Sequence, residues 1–389
     1  MTADTIPVTQ EWVRAAVVSA QRIPDPSGPG EYSTAADVLR SAGLIQLDPL
    51  MRVSTAQRLT CLTRLPRQHR ADDVDASLWP QKSPVSFEAF TKVACLFPMQ
   101  DWPLLELRRQ YFRERARQRY AGTLTPALRS QIREVVGAQP RGVQIGTIEK
   151  ALGSARTTGW NWSEVKQAAE YMVRTGELVI TARDGVVRLF DLPERALPAA
   201  VREAEHDPPD ALRARLAQRA AAHLGVMTAA DFAHHYHLSR PDAEQGIALA
   251  QLAQLTVPGW KETAYCLPEL LDAPMPEDHG LGEARTARLI GPFDPLLRDR
   301  GRARRIFGFD YTFEAYVPRS KRIYGHYVMA LLSGHRLIGR VDLQRAGGLL
   351  QVNTVFPEPG VPTRSVTARV KTAGRTLARQ LGVELSLPS

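Results

Sequence analysis

An amide and a carboxylate stand two residues apart inside an otherwise apolar stretch, Gly43-Leu44-Ile45-Gln46-Leu47-Asp48-Pro49-Leu50. If the stretch is a strand, Gln46 and Asp48 share one face, and Ile45 and Leu47 point into a core. Pro49 favours a strand, because a residue before proline is pushed out of the helical region. Polar groups in apolar surroundings cost free energy unless they are partnered. The pair is therefore either two satisfied polar groups at a strand edge or, as we predict, a catalytic site.

A second candidate is the cationic run Arg298-Asp299-Arg300-Gly301-Arg302-Ala303-Arg304-Arg305. It fits a solvated loop, and it also fits a phosphate clamp or an arm that enters a DNA groove. Several cations beside a glycine in a basic protein favour DNA contact. The predicted DNA-binding residues of this run are Arg298, Arg300, Arg302, Arg304 and Arg305.

Two further clusters suggest ligands less strongly. On a helix, the side chains of His234-His235-Tyr236-His237 spread over more than one face, so a polar helix face is favoured over a metal site. Lys166 follows Trp160 and Trp162 and precedes Arg174; we predict that Lys166 contacts phosphate and that the tryptophans pack in a core or cap. Walker, dinucleotide, HExxH and serine-elbow motifs are missing, and we predict neither a metal nor a cofactor.

Composition limits the class of protein. The 389 residues carry Lys+Arg 50 against Asp+Glu 41, a net charge of +9, and arginine supplies most of the cations. Such a balance serves solubility or nucleic-acid binding. Cys61, Cys95 and Cys266 are too far apart for a CxxC motif or a disulfide framework. Because we find no signal peptide and no long apolar stretch, we expect a cytoplasmic, nucleoid-associated protein without membrane contact.

The elements that position the motif are predicted from caps and periodicity. Thr9 caps a helix from Gln10 to about Ile23, and Ser33 caps a helix over Thr34–Ala42 that Gly43 ends. A helix over Ala56–Leu65 and a long basic helix over Met99–Tyr120 follow. Helix, loop, helix and strand are how a winged helix begins, so residues 1–122 are predicted as an N-terminal winged-helix module that carries the motif.

Three more units are predicted along the chain. Residues 123–200 form a second winged helix, with helices over Thr125–Val136, Thr147–Leu152 and Ser163–Thr175 and a hairpin at Asp184-Gly185. Residues 201–283 form a third, degenerate one plus a linker, with helices over Pro209–Leu224, Thr228–His237 and Pro241–Leu255. Residues 284–389 form a β-barrel closed by a helix over Ser365–Leu381, with strands that include Arg288–Ile290, Phe309–Val317, Tyr324–Leu332, Arg336–Val341 and Leu349–Phe356. The predicted fold class is α+β, tandem winged-helix modules followed by a C-terminal β-barrel.

Several short stretches resemble one known family over nearly the whole chain. They are Gln46-Leu47-Asp48, Leu96-Phe97-Pro98, Asp101-Trp102-Pro103, Trp160 to Lys166, Thr175 to Leu178, Asp191 to Arg195, Pro292 to Leu296, Phe307 to Tyr311, Tyr316-Val317-Pro318, Lys321-Arg322 and Tyr324-Gly325. In type and order they are similar to the YcaQ/AlkZ-type winged-helix DNA glycosylases. These enzymes excise alkylated purines and unhook interstrand crosslinks. The resemblance implies a cradle for duplex DNA, a catalytic Gln-Leu-Asp motif of the YcaQ form, and DNA contacts from Lys321 and Arg322.

The implied reaction suits the two residues. An N7-alkylated purine is already cationic and leaves without a general acid, so Asp48 stabilises the oxocarbenium-like sugar and Gln46 holds the water. No lysine lies near the motif in the sequence, so we predict a monofunctional glycosylase that leaves an abasic site. Its role is base excision repair or self-resistance to a DNA-alkylating natural product, and its partner is double-stranded DNA carrying alkylated purines, bound by a monomer. The alternative is a non-catalytic winged-helix transcriptional regulator.

The chain departs from the family pattern at two places close to the motif. Family members commonly carry a His-His pair where this chain has Gln57-Arg58, and a Trp-x-His stretch where it has Phe90-Thr91-Lys92. We predict that Gln57, Arg58, Phe90 and Lys92 line the substrate pocket. Their identity leaves open a specialised enzyme for one adduct or a broad crosslink glycosylase.

Overall fold

The molecule has a mixed α+β architecture, seen in a computed structural model that describes residues 5–23, 32–119, 124–154, 162–204, 207–273 and 286–388. The helices are α1 (Gln10–Ala20), α2 (Ala35–Ala42), α3 (Ala56–Arg64), α4 (Ala71–Leu78), α5 (Glu106–Arg119), α6 (Pro126–Gly137), α7 (Ile145–Ala151), α8 (Glu164–Thr175), α9 (Pro193–Ala196), α10 (Ala199–Arg202), α11 (Pro209–Leu224), α12 (Ala229–Tyr236), α13 (Arg240–Leu249), α14 (Glu269–Asp272), α15 (Arg300–Phe307) and α16 (Thr363–Leu381). The strands are β1 (Ile6–Pro7), β2 (Ile45–Gln46), β3 (Ser86–Phe90), β4 (Ala94–Pro98), β5 (Val179–Asp184), β6 (Val187–Asp191), β7 (Ala253–Thr256), β8 (Ala264–Cys266), β9 (Arg288–Ile290), β10 (Val328–Ser333), β11 (Arg336–Ala346), β12 (Leu349–Pro357) and β13 (Glu384–Ser386). No helix in these ranges is both long and apolar enough to cross a membrane.

Local capping residues set where the helices before the motif begin and end. The Thr9 hydroxyl accepts from the Trp12 N–H, 3.0 Å away, and caps α1. Helix α2 is capped by Thr34, and the prediction of Ser33 is wrong, because Thr34 and Asp37 form a reciprocal capping box. Gly43 has φ +72° and ends α2 immediately before the motif.

The predicted long basic helix begins later than expected. Residues 99–101 and 103–105 form two short 3-10 turns, and α5 starts only at Glu106. Pro103 supplies no N–H for a longer helix. The turns pack Leu104 and Leu105 into the core that also holds Phe97 of β4. Because these turns are packed into that core, the start of α5 is fixed relative to β4.

Residues 124–192 enclose a core of their own. Helices α6, α7 and α8 and the β5–β6 hairpin bury Ile132, Val136, Ile148, Met172 and Ile180 together. The three helices and the hairpin agree with the predicted elements to within a few residues. Trp160 lies outside the described residues.

Helices α11, α12 and α13 follow one another in the predicted order, and the strand pair β7–β8 comes after them. Helix α13 ends at Leu249, so the predicted extension to Leu255 is wrong; the next residues turn into β7. Strand β1 adds to this sheet in parallel with β7, a pairing that no sequence pattern indicated. Helix α1 likewise packs Val13, Ala16 and Val17 into a core shared with residues after 286.

The C-terminal sheet has the strand order β13-β12-β11-β10-β9. It is an open sheet with β9 and β13 at its edges, which agrees only partly with the predicted barrel, and α16 packs across it. The predicted strand Phe309–Val317 is irregular instead. Its first two aromatic side chains are buried: the Tyr311 hydroxyl donates to the Val328 carbonyl at 2.6 Å, and the Arg340 guanidinium lies 4.2 Å from the Phe309 ring centroid.

Candidate active site

The motif begins on β2, the edge strand of a sheet ordered β2-β4-β3, and Leu47 and Asp48 follow the end of that strand. Ile45 pairs with Leu96 and Gln46 with Cys95, and the Leu47 N–H donates to the Ala94 carbonyl at 2.9 Å. Ile45 is fully buried and Leu47 packs on the same core. Gln46 and Asp48 are both half-buried. The structure thus places Gln46 opposite Cys95, whereas β2, shorter than the predicted strand, stops short of Asp48, and Leu47 is no more buried than its two polar neighbours.

Asp48 is held by its own backbone turn. Its Oδ1 accepts from the Leu50 N–H at 3.0 Å, across Pro49. Burial raises the pKa of this carboxyl, and the Leu50 hydrogen bond opposes part of the rise. Because that bond uses one oxygen, the other is left for a water or a substrate. The site therefore holds a partly desolvated acid.

Tyr327 is a buried group that interacts electrostatically with Asp48. Its ring is fully buried against Phe313, 5.9 Å between centroids, and its hydroxyl has no hydrogen-bond partner among the described residues. Burial raises the pKa of Tyr327 most, and the charges of Tyr311 and Asp48 add to that rise. Asp48 is thus within electrostatic reach of a buried phenol that lacks a partner. Sequence reasoning missed Tyr327, since nothing links it to the motif except the fold.

The other face of interest is that of Gln46. Residues directly opposite on antiparallel strands project to the same side, so Gln46 and Cys95 are neighbours there. Nη2 of Arg298 is 4.0 Å from the Cys95 Sγ, and its Nη1 is buried without a partner in the described part of the chain. Arg298 was predicted to bind DNA as one of a run. In the structure Arg298 precedes α15, the helix formed by the rest of that run. It lies near Cys95, the strand partner of Gln46.

Gln57 and Arg58 follow the motif at the start of α3. Gln57 is buried. Arg58 turns away to α4, where Nε donates to Asp75 at 2.9 Å and Nη2 lies 3.0 Å from Asp72. Its guanidinium therefore fastens α3 to α4, which limits its use as a pocket residue.

Phe90 and Lys92 lie at the end of the β3–β4 hairpin. Phe90 pairs with Ala94, and the Arg174 guanidinium of α8 lies 4.5 Å from its ring centroid. Lys92 is exposed in the turn, three residues from Cys95. Although no lysine is close to the motif in sequence, the hairpin brings Lys92 to the same end of the sheet. This proximity is what the sequence-based argument against a lysine overlooked.

The model of a family described as "DNA glycosylase AlkZ-like" matches residues 39–380. The chain belongs to the AlkZ-like family of DNA glycosylases. Among solved structures it is similar to Streptomyces sahachiroi DNA glycosylase AlkZ, with a TM-score of 0.66 and 17% identity over 98% of this chain and 100% of that one. The likeness extends the shared fold over the whole chain, and the family implies a DNA substrate.

In this AlkZ-like chain, most of the arginine run is structural. The run is not the solvated loop that was the alternative to DNA contact, because the Asp299 carboxylate caps a helix, α15, over these residues. Arg302 is 3% exposed, and its Nη2 donates to the carbonyls of Leu224 and Val226 at 2.7 and 2.8 Å. Arg300 donates to the Pro292 carbonyl at 2.7 Å. These two guanidiniums are not available to a phosphate.

The remaining members of the run also have protein partners. Nη2 of Arg305 lies 2.6 Å from Oδ1 of Asp231, with the guanidinium 4.7 Å from the Trp260 ring centroid. Arg304 is exposed and pairs with Asp310 through Nε at 3.1 Å. Of the helix, Arg304 is therefore the residue that faces solvent.

The other predicted DNA-binding residues lie on two separate surfaces. Lys321 is exposed, and the neighbouring Arg322 donates Nε to the Val317 carbonyl at 2.8 Å. Lys166 begins α8, with its Nζ 4.6 Å from the ring centroid of Trp162. The structure does not bring Lys166 to the motif.

The histidine run is also accounted for by packing. His235 is buried, and burial holds its pKa well below the usual value. His237 ends α12 at φ +55°, and its carbonyl accepts from Arg108 at 2.6 Å. Among the described residues there is no group of three side chains placed to hold a metal ion.

Proposed function

We propose that this AlkZ-like chain is a monofunctional DNA glycosylase for N7-alkylated purines, including bulky adducts and interstrand crosslinks. The observation that carries the proposal is the half-buried Asp48, whose pKa burial raises, within electrostatic reach of Tyr327, a buried phenol whose hydroxyl has no partner among the described residues. Groups left open in this way are typical of a site completed by substrate. The Gln46-Leu47-Asp48 form of the motif supports placement in the YcaQ-like branch.

Hydrolysis proceeds in this scheme without a general acid. The C1′–N9 bond breaks and its electrons neutralise the cationic purine, which leaves as the free alkylated base. The ionised Asp48 stabilises the positive charge that develops on the sugar. Water attacks C1′ and transfers its proton to Asp48, and the Gln46 amide orients that water. The products are the free base and an abasic deoxyribose with a C1′ hydroxyl.

The basic surface residues position the duplex. In this proposal the exposed Lys321, its neighbour Arg322, and Lys166 on α8 contact phosphates, and Arg298 acts near the Gln46 strand. We interpret α6, α7, α8 and the β5–β6 hairpin as a winged helix, since three helices with their own core precede a two-stranded hairpin. Phosphate contacts of this kind set the register of the DNA and do not select a base.

The experiment uses a duplex with a single 7-methylguanine. Wild type is compared with Asp48→Asn and Gln46→Ala, and both the free base and alkali-labile sites are measured. We expect release by wild type and its loss in Asp48→Asn. Tight binding without release from any N7 adduct would instead identify a non-catalytic DNA-binding regulator.

A second arm tests whether the enzyme is monofunctional. Lys92 is the lysine to examine, because the hairpin places it at the motif end of the sheet. We expect no borohydride-trapped covalent complex with wild type and unchanged base release in Lys92→Ala. A trapped complex that disappears in Lys92→Ala would show a Schiff-base lyase step.

A further inference from the structure

Two large apolar side chains stand out from one short segment after the irregular stretch that begins at Phe309. Tyr316 is 83% exposed and Ile323 is 74% exposed. Exposed apolar side chains held singly on a surface are ordinary. Here both are carried by residues 314–325, which calls for an explanation.

The segment is held in place by one carboxylate. Glu314 accepts from the N–H groups of Ile323, Tyr324 and Gly325, at 2.9, 2.8 and 3.0 Å. These bonds outweigh its burial and lower the pKa of the Glu314 carboxyl. The Arg322 bond to the Val317 carbonyl closes the turn from the other side. Tyr316 and Ile323 are therefore presented by a pre-organised loop.

Aromatic contacts connect this loop with the candidate active site. The Tyr316 ring lies 6.2 Å from that of Phe313, and Phe313 lies 5.9 Å from Tyr327, the phenol within electrostatic reach of Asp48. Phe293 buttresses Phe313 at 5.1 Å. Tyr316 is thus two ring contacts away from Tyr327, the phenol within electrostatic reach of Asp48.

The charges around the tip suit a polyanion. Arg319 and Lys321 are exposed on the short turn between Tyr316 and Ile323, and Arg322 adds a third cation. The acid of the segment, Glu314, is already used by backbone N–H groups. An apolar tip flanked by cations matches a base-pair step between its phosphates.

We infer that Tyr316 and Ile323 form a wedge that enters duplex DNA at the step beside the lesion and unstacks it. The inference rests on the proposed glycosylase function and adds to it a residue-level means of exposing the glycosidic bond. Unstacking a base step costs free energy, and apolar side chains inserted between base steps compensate for that cost. The exposed ring of Tyr316 replaces part of the lost stacking.

The test compares two substrates under single-turnover conditions. In one duplex 7-methylguanine is fully paired; in the other the lesion and its neighbour are mismatched, so that the step is already unstacked. Tyr316→Ala and Ile323→Ala are expected to release base from the paired duplex about tenfold more slowly and to recover the wild-type rate on the mismatched one. Tyr316→Phe keeps the ring and is expected to retain the rate. The matched control is Leu249→Ala, an exposed leucine on α13, which is expected to change neither rate.

A fluorescence measurement separates the wedge from the chemistry. In the Asp48→Asn background, binding is expected to raise the emission of 2-aminopurine placed beside the lesion, and Tyr316→Ala is expected to abolish that rise. Equal losses on both duplexes, unchanged rates on both, or emission that does not depend on Tyr316 would overturn the wedge. Failure of wild type to release base from either duplex would contradict the glycosylase proposal, while the emission would still report on the wedge.

Discussion

Two polar regions of this molecule differ in how their charges are used. On α15, Arg302 and Arg305 converge on Asp231, and Arg302 also saturates two helix-end carbonyls. On the motif strand, no cation among the described residues lowers the pKa of Asp48, which burial raises. Charges that hold a fold together are neutralised within it, whereas those at a reaction site await a substrate. The comparison reverses the impression from sequence, where the arginine run is the denser functional signal.

The largest expected effect on stability comes from α15. Arg302→Ala leaves the buried carbonyls of Leu224 and Val226 without their donor and removes a charge 3.8 Å from Asp231, so we expect the free energy of unfolding to fall by about 3–5 kcal/mol. Urea unfolding monitored by circular dichroism measures this. Arg304→Ala, exposed on the same helix, is the control and should change the value by less than about 0.5 kcal/mol. If both variants lowered the free energy of unfolding by the same small amount, Arg302 would not be a structural residue.

The acid dependence of base release tests the state of Asp48. Burial raises the pKa of Asp48, and the reaction needs its ionised form. Activity should therefore be lost as pH falls through that raised pKa, at a higher pH than an ordinary Asp near 3.9 would give. Single-turnover rates across pH, corrected for spontaneous depurination, provide the profile. A profile without an acid limb above that ordinary value would argue against Asp48 as the reacting base.

Salt dependence separates solvent-facing cations from engaged ones. Lys321→Gln should reduce the slope of log K against log salt by about 0.9, the value for one lost phosphate contact. Arg305→Gln should leave the slope unchanged, because its guanidinium is bound to Asp231. Fluorescence anisotropy with duplex DNA measures both. A larger change in slope for Arg305→Gln than for Lys321→Gln would indicate that α15 contacts the DNA.

The smallest effect is expected for the stability of Asp48→Asn. The folded-state pKa of this Asp is raised above its unfolded value, so ionisation of Asp48 costs stability, and that cost appears as pH rises through the two values. At neutral pH the asparagine variant, whose Oδ1 still accepts from Leu50, should unfold at the wild-type temperature or slightly above it. A marked drop in the melting temperature would mean that Asp48 has a structural role.

The sequence predicted local elements, but it did not predict which distant residues become neighbours in space. Caps and periodicity predicted α1, α8 and the β5–β6 hairpin closely, because their signals lie within a few residues. Pro49 and the alternation predicted a strand over the motif, of which β2 covers only Ile45 and Gln46. The strand expected at Phe309–Val317 is absent because Phe309 and Tyr311 are held by distant partners, Arg340 and the Val328 carbonyl.

The candidate site shows the same limit. Gln46 and Asp48 could be singled out from type and spacing alone. Tyr327 and Arg298 could not be assigned to them, since β4 and the C-terminal segment bring these residues in only after folding. Helix α4 was missed although Ala71, Val74 and Leu78 repeat on one buried face, because four of its eight residues are acidic or small and polar.

The central claim is that Asp48 acts in the chemical step and not in binding. The direct measurement is the single-turnover rate of 7-methylguanine release by Asp48→Asn with protein saturating the DNA, alongside the Kd of the same preparation. We predict that Asp48→Asn releases base at least about 100-fold more slowly than wild type and has an unchanged Kd. The reason is that the variant loses a group that stabilises charge in the transition state. A wild-type rate in Asp48→Asn, or a loss explained entirely by weaker binding, would contradict it.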